Sequence, residues 1–249
     1  MQNTGKLDGK TALVTGAARR IGATVARRLH VEGMNLVLHY RSSEREAQAL
    51  CHSLNALRRD SAVLAQADLA EVGEFDSLLK ASRQWGSLDL LVNNASSFYA
   101  TPFGKVSESD WDNLMISNLK APFFLSQAAA PHLRKSRGVI VNMLDIHARR
   151  PLRDYSVYSI AKAGLAALTL SLARELGPEV RVNGVAPGPI LWPERGLDEQ
   201  AKQAILEHTA LKRAGAPEDI AGAIVYLVRD AGYVTGQILA VDGGRSIGW

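Results

Sequence analysis

Two hydrophobic periods alternate along this chain. Short apolar or β-branched runs occur at 11–15, 35–40, 62–66, 88–93, 138–143, 180–186 and 237–241. Their length and the turn residues around them predict buried strands. Between them, apolar residues recur at helical spacing over 20–32, 43–58, 73–84, 107–132, 155–176 and 217–229, which predicts helices. Apolar strands that alternate with helices predict a parallel sheet covered on both faces. Right-handed crossovers then wind the chain into a doubly wound α/β domain of about seven strands.

No linker, repeat or low-complexity tract interrupts the alternation, so 1–249 reads as one domain. The longest irregular stretch, 187–197, holds three prolines and two glycines and leads into a polar helical segment around 198–209. Loops of that length inside a compact domain are often lids or binding loops, and a substrate loop is expected over about 188–210.

Composition narrows the function classes. Hydrophobic residues make up 47% and charged residues 22%, near the globular average. Cys51 is the single cysteine, so neither a disulfide framework nor a thiol zinc cluster is expected, and a cytoplasmic setting is the default. No His/Asp/Glu cluster has metal-ligand spacing, and no metal is expected. No apolar run reaches the roughly 18 residues of a membrane span, and the polar N-terminus does not read as a signal peptide. The net charge of +4 comes from 29 basic against 25 acidic residues. It is spread over arginine pairs such as Arg19–Arg20 and Arg149–Arg150, which predicts a solvated basic surface and no nucleic-acid partner.

The first predicted strand runs directly into Gly16-Ala-Ala-Arg-Arg-Ile-Gly22 and a helix. Gly16 permits a tight turn and Gly22 a close helix–strand approach, with the helix N-terminus offered to a pyrophosphate. Arg20 occupies the place of a middle glycine, where its guanidinium would pair with an anion or a polar ring. The end of the second strand chooses the nucleotide. An NAD site carries a carboxylate there, whereas this chain reads His39-Tyr40-Arg41-Ser42-Ser43 before Glu44. An arginine and two hydroxyls suit a 2′-phosphate, so NADPH is the expected cofactor, unless Glu44 turns inward.

Tyr158 and Lys162 stand four residues apart in a helical pattern, on one helix face. A nearby ammonium favours phenolate and predicts a tyrosine pKa below about 10, suited to acid–base work. Tyr155 is the rival tyrosine, with Ser159 at the same offset.

With these motifs together, the chain resembles the short-chain dehydrogenase/reductase family over essentially its whole length. The likeness rests on 15–22, Asp68-Leu69, Asn93-Asn94-Ala95, Asn118, Tyr158 with Lys162, Pro187-Gly188 and Val241-Asp242-Gly243-Gly244. Within that family it is most similar to the pteridine reductases, through Arg20, 39–42, 94–99 and Asn142-Met143-Leu144-Asp145. The resemblance implies a Rossmann-like fold and a set of roles. Gly16, Arg20, Ile21, His39, Tyr40, Arg41 and Ser42 would contact the cofactor. Asp68 and Leu69 would flank the adenine, and Asn94, Ala95, Ser96 and Met143 would line the cofactor's path. Tyr158 would move the proton, Lys162 would bind the nicotinamide ribose and hold the tyrosine's pKa down, and Asn118 would support a water-linked proton path. Pro187 and Gly188 would shape the nicotinamide pocket.

Two departures from the wider family bear on the substrate. Asp145 stands thirteen residues before Tyr158, where most members carry serine. A carboxyl group there suits a ring with several N–H groups better than a simple ketone. Ser96 replaces a glycine, and Phe98 follows with a ring able to stack on a flat heterocycle. Arg20, Ser96, Phe98, Asp145 and Tyr158 would therefore hold the substrate, with His147 within reach. The expected activity is NADPH-dependent reduction of a pterin or folate ring. The alternatives are a reductase of carbonyls such as 3-oxoacyl chains, and a non-catalytic NADP-binding sensor. Apolar helices at 107–132 and 155–176 predict subunit contacts, and the family implies a homotetramer. Trp249 could approach a neighbour's site.

Overall fold

Seven strands form one parallel sheet: β1 (Thr11–Val14), β2 (Asn35–Tyr40), β3 (Ala62–Gln66), β4 (Leu90–Asn93), β5 (Val139–Met143), β6 (Arg181–Pro187) and β7 (Ile238–Val241). The computed structural model describes residues 7–192 and 198–247. The strand order is β3-β2-β1-β4-β5-β6-β7, and every neighbouring pair is parallel. The chain builds outward from β1 to β3, then returns to the other side of β1 with β4. A crevice opens at such a reversal, beyond the carboxyl ends of the central strands.

Alternate strand residues face opposite layers, so each strand feeds two cores. On one side Val14, Leu36, Val92 and Val141 pack with Val25 and Leu29 of α1 (Arg20–Val31), Leu50 and Leu54 of α2 (Glu44–Leu57), and Ile224 of α8 (Pro217–Arg229). On the other, Leu13, Val37, Leu91 and Ile140 meet α3 (Phe75–Lys80), α5 (Ala121–Ser136) and α6 (Ser156–Leu176). Each fully buried aliphatic side chain contributes about 1.5–3 kcal/mol. α7 (Glu199–Glu207) lies outside these layers and buries none of its residues.

Two predicted helices are broken differently in the structure. The stretch expected at 73–84 is 3₁₀ turn, α3, then 3₁₀ turn. The helix expected at 107–132 is α4 (Glu108–Met115), a π turn at Ile116–Lys120, and α5. Pro122 has no N–H to return to the Asn118 carbonyl, and the turn widens there. α6 also departs from expectation: within its 21 residues, an 18-residue window has a mean hydropathy of 1.3, enough by length and composition alone for a membrane span. Half of that window is buried inside this protein, and α6 carries Lys162 in its inner face.

Candidate active site

The crevice begins at the turn between β1 and α1. Gly16 has φ of +62°, and its N–H donates to His39 Nδ1 at 3.0 Å. His39 Nε2 faces the Ala67 carbonyl at 3.1 Å, so the ring is neutral with its proton on Nε2. Burial lowers its pKa below the ordinary 6.5, against the opposing Ala67 hydrogen bond and the charges of Asp68 and Glu74. His39 was expected at the cofactor; both its nitrogens are spent supporting the turn from behind. Asn94 clamps the same turn, with Nδ2 donating to the carbonyls of Thr15 and Gly16 at 2.8 and 3.2 Å. Thr15 Oγ1 accepts from the N–H groups of Asn94 and Ala95.

A Cβ on Gly22 would sit 2.2 Å from the Gly16 carbonyl oxygen, so α1 reaches this turn only through glycine. No side chain caps the first N–H groups of α1. Ile21 is partly buried and packs against the core. Arg20 adopts φ of +53°, in the left-handed region that glycine enters freely. Its Nη2 crosses the crevice to the carbonyls of Leu191 and Trp192 at 3.4 and 3.3 Å.

At the far end of the crevice, Arg41 and Ser42 are exposed just past β2, whereas Tyr40 is buried. Glu44 takes the amide of Gln48 at 3.1 Å along the surface of α2. Asp68 starts the loop after β3 and accepts from Ala70 N, and Leu69 packs against the second core.

Tyr158 Oη donates to Asp145 Oδ2 at 2.8 Å. The other carboxylate oxygen accepts from His147 N at 2.9 Å, which fixes the group's orientation. Spacing alone predicts a lowered tyrosine pKa; the structure reverses this. Burial raises the Tyr158 phenol well above its usual 10, the Asp145 charge and hydrogen bond raise it further, and only Ser96 opposes. The reason is placement: Lys162 Nζ lies 5.6 Å from the ring centroid and donates to the Met143 carbonyl at 2.8 Å. Complete burial lowers the lysine's pKa from 10.5 to about 8, against the pull of Asp145.

Asn118 is fully buried within the π turn. Its Nδ2 donates to the Ser97 and Leu114 carbonyls, and its Oδ1 accepts from Ser96 Oγ at 2.7 Å. Phe98 stacks on Tyr155 at 4.6 Å between centroids and meets Tyr158 edge-on at 4.8 Å. Pro187 ends β6, and a Cβ on Gly188 would lie 2.6 Å from Asp242 Cα. The sequence thus brings Ser96, Phe98, Asn118, Asp145, Tyr158 and Lys162 to one site. Trp249 and 193–197 of the expected substrate loop lie outside the described residues.

Three contributions escaped the sequence. Tyr155 is the stacking partner of Phe98. The carbonyls of Leu191 and Trp192 hold Arg20. A buried amide chain also runs from Asn93 Nδ2 to Asn142 Oδ1 and from Asn142 Nδ2 to Thr169 Oγ1, at 2.8 and 2.9 Å. Its one signal was polar residues inside otherwise apolar strand and helix faces.

The uncapped helix end, the turn that only glycine fits and the strand reversal together match the needs of a dinucleotide's pyrophosphate. Comparison with known proteins agrees. The family described as Enoyl-(Acyl carrier protein) reductase matches residues 16–246. Pteridine reductase 1 of Leishmania tarentolae is 35% identical, covering 95% of this chain and 96% of that protein. 3beta-hydroxysteroid dehydrogenase 1 of Eggerthella lenta is 36% identical, covering 97% and 95%. A 3-oxoacyl-[acyl-carrier-protein] reductase of Staphylococcus aureus is 37% identical, covering 94% and 97%. The chain belongs to the short-chain dehydrogenase/reductase family of NAD(P)(H)-dependent oxidoreductases.

Proposed function

We propose that this chain is an NADPH-dependent reductase of pterin-type rings such as dihydrobiopterin, dihydromonapterin or dihydrofolate. The observation that carries the reading is the Asp145–Tyr158 hydrogen bond of 2.8 Å, made by a carboxylate where most of the family has serine. A bound nicotinamide would supply the hydride to a C=N carbon of the ring. The matching proton is held at Tyr158 Oη, whose raised pKa keeps it protonated at neutral pH. Asp145 fixes that hydroxyl and offers an acceptor to ring N–H groups. Lys162 stands beside the ring face to stabilise negative charge once the proton has left. Arg20, Ser96 and Phe98 complete the wall, with Phe98 as the stacking surface.

For the cofactor, Gly16, Arg20 and Ile21 would take the pyrophosphate and Arg41 with Ser42 the 2′-phosphate. Asp68 and Leu69 would lie at the adenine, and Asn94, Ala95, Met143, Pro187 and Gly188 along the nicotinamide half. Asn118 would hold a water-linked proton path through Ser96. The test is turnover with NADPH of dihydrobiopterin against an acetoacetyl thioester. Preference for the pterin is expected, and preference for the thioester overturns the reading.

The second reading, a carbonyl reductase acting on acyl or steroid ketones, is favoured by relatives with those names whose identities, 36% and 37%, are as high as the pteridine reductase's 35%. The same assay separates the two. We further infer a homotetramer in the cytoplasm. Phe123, 41% exposed on α5, lines a cleft of about 480 Å³ with Met115, Leu119 and Phe124, and Leu170 is 54% exposed on α6. Such a face supports burial against another copy.

A further inference from the structure

The carboxyl end of the sheet carries a polar chain inside an otherwise apolar layer. Asn93 and Asn142 are register partners, the last pair of β4 and β5. Asn93 Nδ2 donates to Ser126 Oγ of α5 at 3.1 Å and to Asn142 Oδ1 at 2.8 Å. Asn142 Nδ2 donates to Thr169 Oγ1 of α6 at 2.9 Å, and Thr169 Oγ1 donates to the Leu165 carbonyl at 2.8 Å. All four side chains are buried. The direction of the chain is fixed. A hydroxyl has one proton, and Thr169 gives it to its own helix, so toward Asn142 its oxygen can only accept. Asn142 must then present its amide nitrogen to Thr169 and its oxygen to Asn93.

The residue that follows Asn142 is Met143, whose carbonyl accepts from Lys162 Nζ at 2.8 Å. Lys162 and Thr169 lie seven residues apart on one face of α6, with buried Leu165 between them. The helix is thus joined to the end of β5 at two points, by the lysine to a backbone carbonyl and by the threonine to the side chain one residue earlier. The remaining contacts of this stretch are apolar, with Leu165 and Leu168 packed among Leu144, Ile146 and Ala186. Apolar attraction has no direction, whereas a hydrogen bond fixes both distance and angle. A fully satisfied buried chain therefore sets where the helix stands along the strand.

Resting on the Tyr158–Lys162 part of the reading above and not on the choice of substrate, we propose that Thr169, acting through Asn142, is a positioning residue that sets the Met143 carbonyl against the Lys162 ammonium. Thr169 touches no reacting atom. Its effect reaches Tyr158 only through the lysine beside that ring. Burial already lowers the Lys162 pKa to about 8, and a carbonyl acceptor favours the charged form. A looser Met143 contact therefore lowers that pKa further and withdraws positive charge from the proton donor.

The experiment compares Thr169→Val, which keeps the shape and removes the hydroxyl, with Thr169→Ser, which keeps the hydroxyl. Lysines are isotope-labelled at Cε, and the Lys162 resonance is identified by its loss in Lys162→Met. In Thr169→Val the Lys162 titration midpoint should fall by about one unit; in Thr169→Ser it should return to the wild-type value. Turnover is read with dihydrobiopterin or the acetoacetyl thioester, whichever the wild type reduces. There kcat should drop about tenfold in Thr169→Val, because a small misplacement of a catalytic group is costly, and recover in Thr169→Ser, with substrate KM unchanged. A purely structural threonine would lower the urea midpoint of Thr169→Val and leave the Lys162 titration and kcat unmoved, and that result overturns the proposal. Should Thr169→Val not fold, Thr169→Ala is expected to show the same lowered midpoint, and an unmoved one overturns the proposal equally. Failure of the pterin reading has a separate mark, preference for the thioester, which leaves the lysine titration untouched.

Discussion

The Tyr158 hydroxyl is buried beside two charged groups, and the nearer one adds to burial in holding its proton. Asp145 is in direct contact at 2.8 Å, whereas the Lys162 amine is turned to a backbone carbonyl. Replacing Tyr158 with Phe should cut turnover by about 10²–10⁴-fold, the usual worth of a positioned proton donor, while a fluorescence titration finds NADPH binding intact. Asp145→Asn removes the charge that adds to burial, so the phenol's ultraviolet titration should move to lower pH; an unmoved midpoint would deny Asp145 its role. Lys162 carries a different signature. The unfolded chain keeps its proton to 10.5 and the folded chain only to about 8. Between those values unfolding takes up a proton, so stability rises with pH. Tyr158 opposes this only above pH 10, where the unfolded phenol ionises first. From pH 8 to 10 the urea midpoint of the wild type should therefore climb relative to Lys162→Met. The Tyr158–Lys162 pair was legible from spacing; the sign of the tyrosine's shift was not. It depends on burial first and then on a carboxylate brought from the end of β5, and helical spacing says nothing of either.

Among the elements, the turn from β1 into α1 shows how a binding loop can be stiffened from outside itself. His39 from β2 and Asn94 from the end of β4 hold the backbone of Gly16 on opposite sides. His39→Leu strands the Gly16 N–H, a loss of about 1–3 kcal/mol. Denaturant unfolding should register that drop, and NADPH affinity should fall although no cofactor contact has been removed. The glycines of this turn were readable because their spacing follows from sterics. The support that the histidine gives the turn was not readable, because a polar residue at a strand end has the same appearance whether it faces a cofactor or a backbone amide. The π turn escaped for a related reason. The apolar period runs on through 107–132, and the missing N–H of Pro122 leaves no mark on it.

For the whole molecule, strand composition and the alternation with helices were sufficient to give the sheet, since parallel strands buried on both faces are apolar throughout. The strand order and its reversal at β1, which opens the crevice, came from the structure alone. The outer faces of α5 and α6 were less legible, because an apolar residue there has the same signature as one in the core. If the proposed homotetramer forms through these faces, Leu170→Asp should give smaller species by light scattering than the wild type, with the far-ultraviolet spectrum retained; an unchanged mass would place the contacts elsewhere.

Arg20 stands in a backbone conformation that costs an L-residue about 1–2 kcal/mol, at the point where a glycine would fit at ease. The chain thus gives up local stability to keep one guanidinium over the crevice. Arg20→Gly should leave the Tm unchanged or higher, while KM for cofactor and substrate rises. A protein that melts earlier with glycine there would mean that the arginine's hold on Leu191 and Trp192 outweighs the strain. Random drift at this position would favour the sturdier, less active form, so activity is what has to keep the arginine in place.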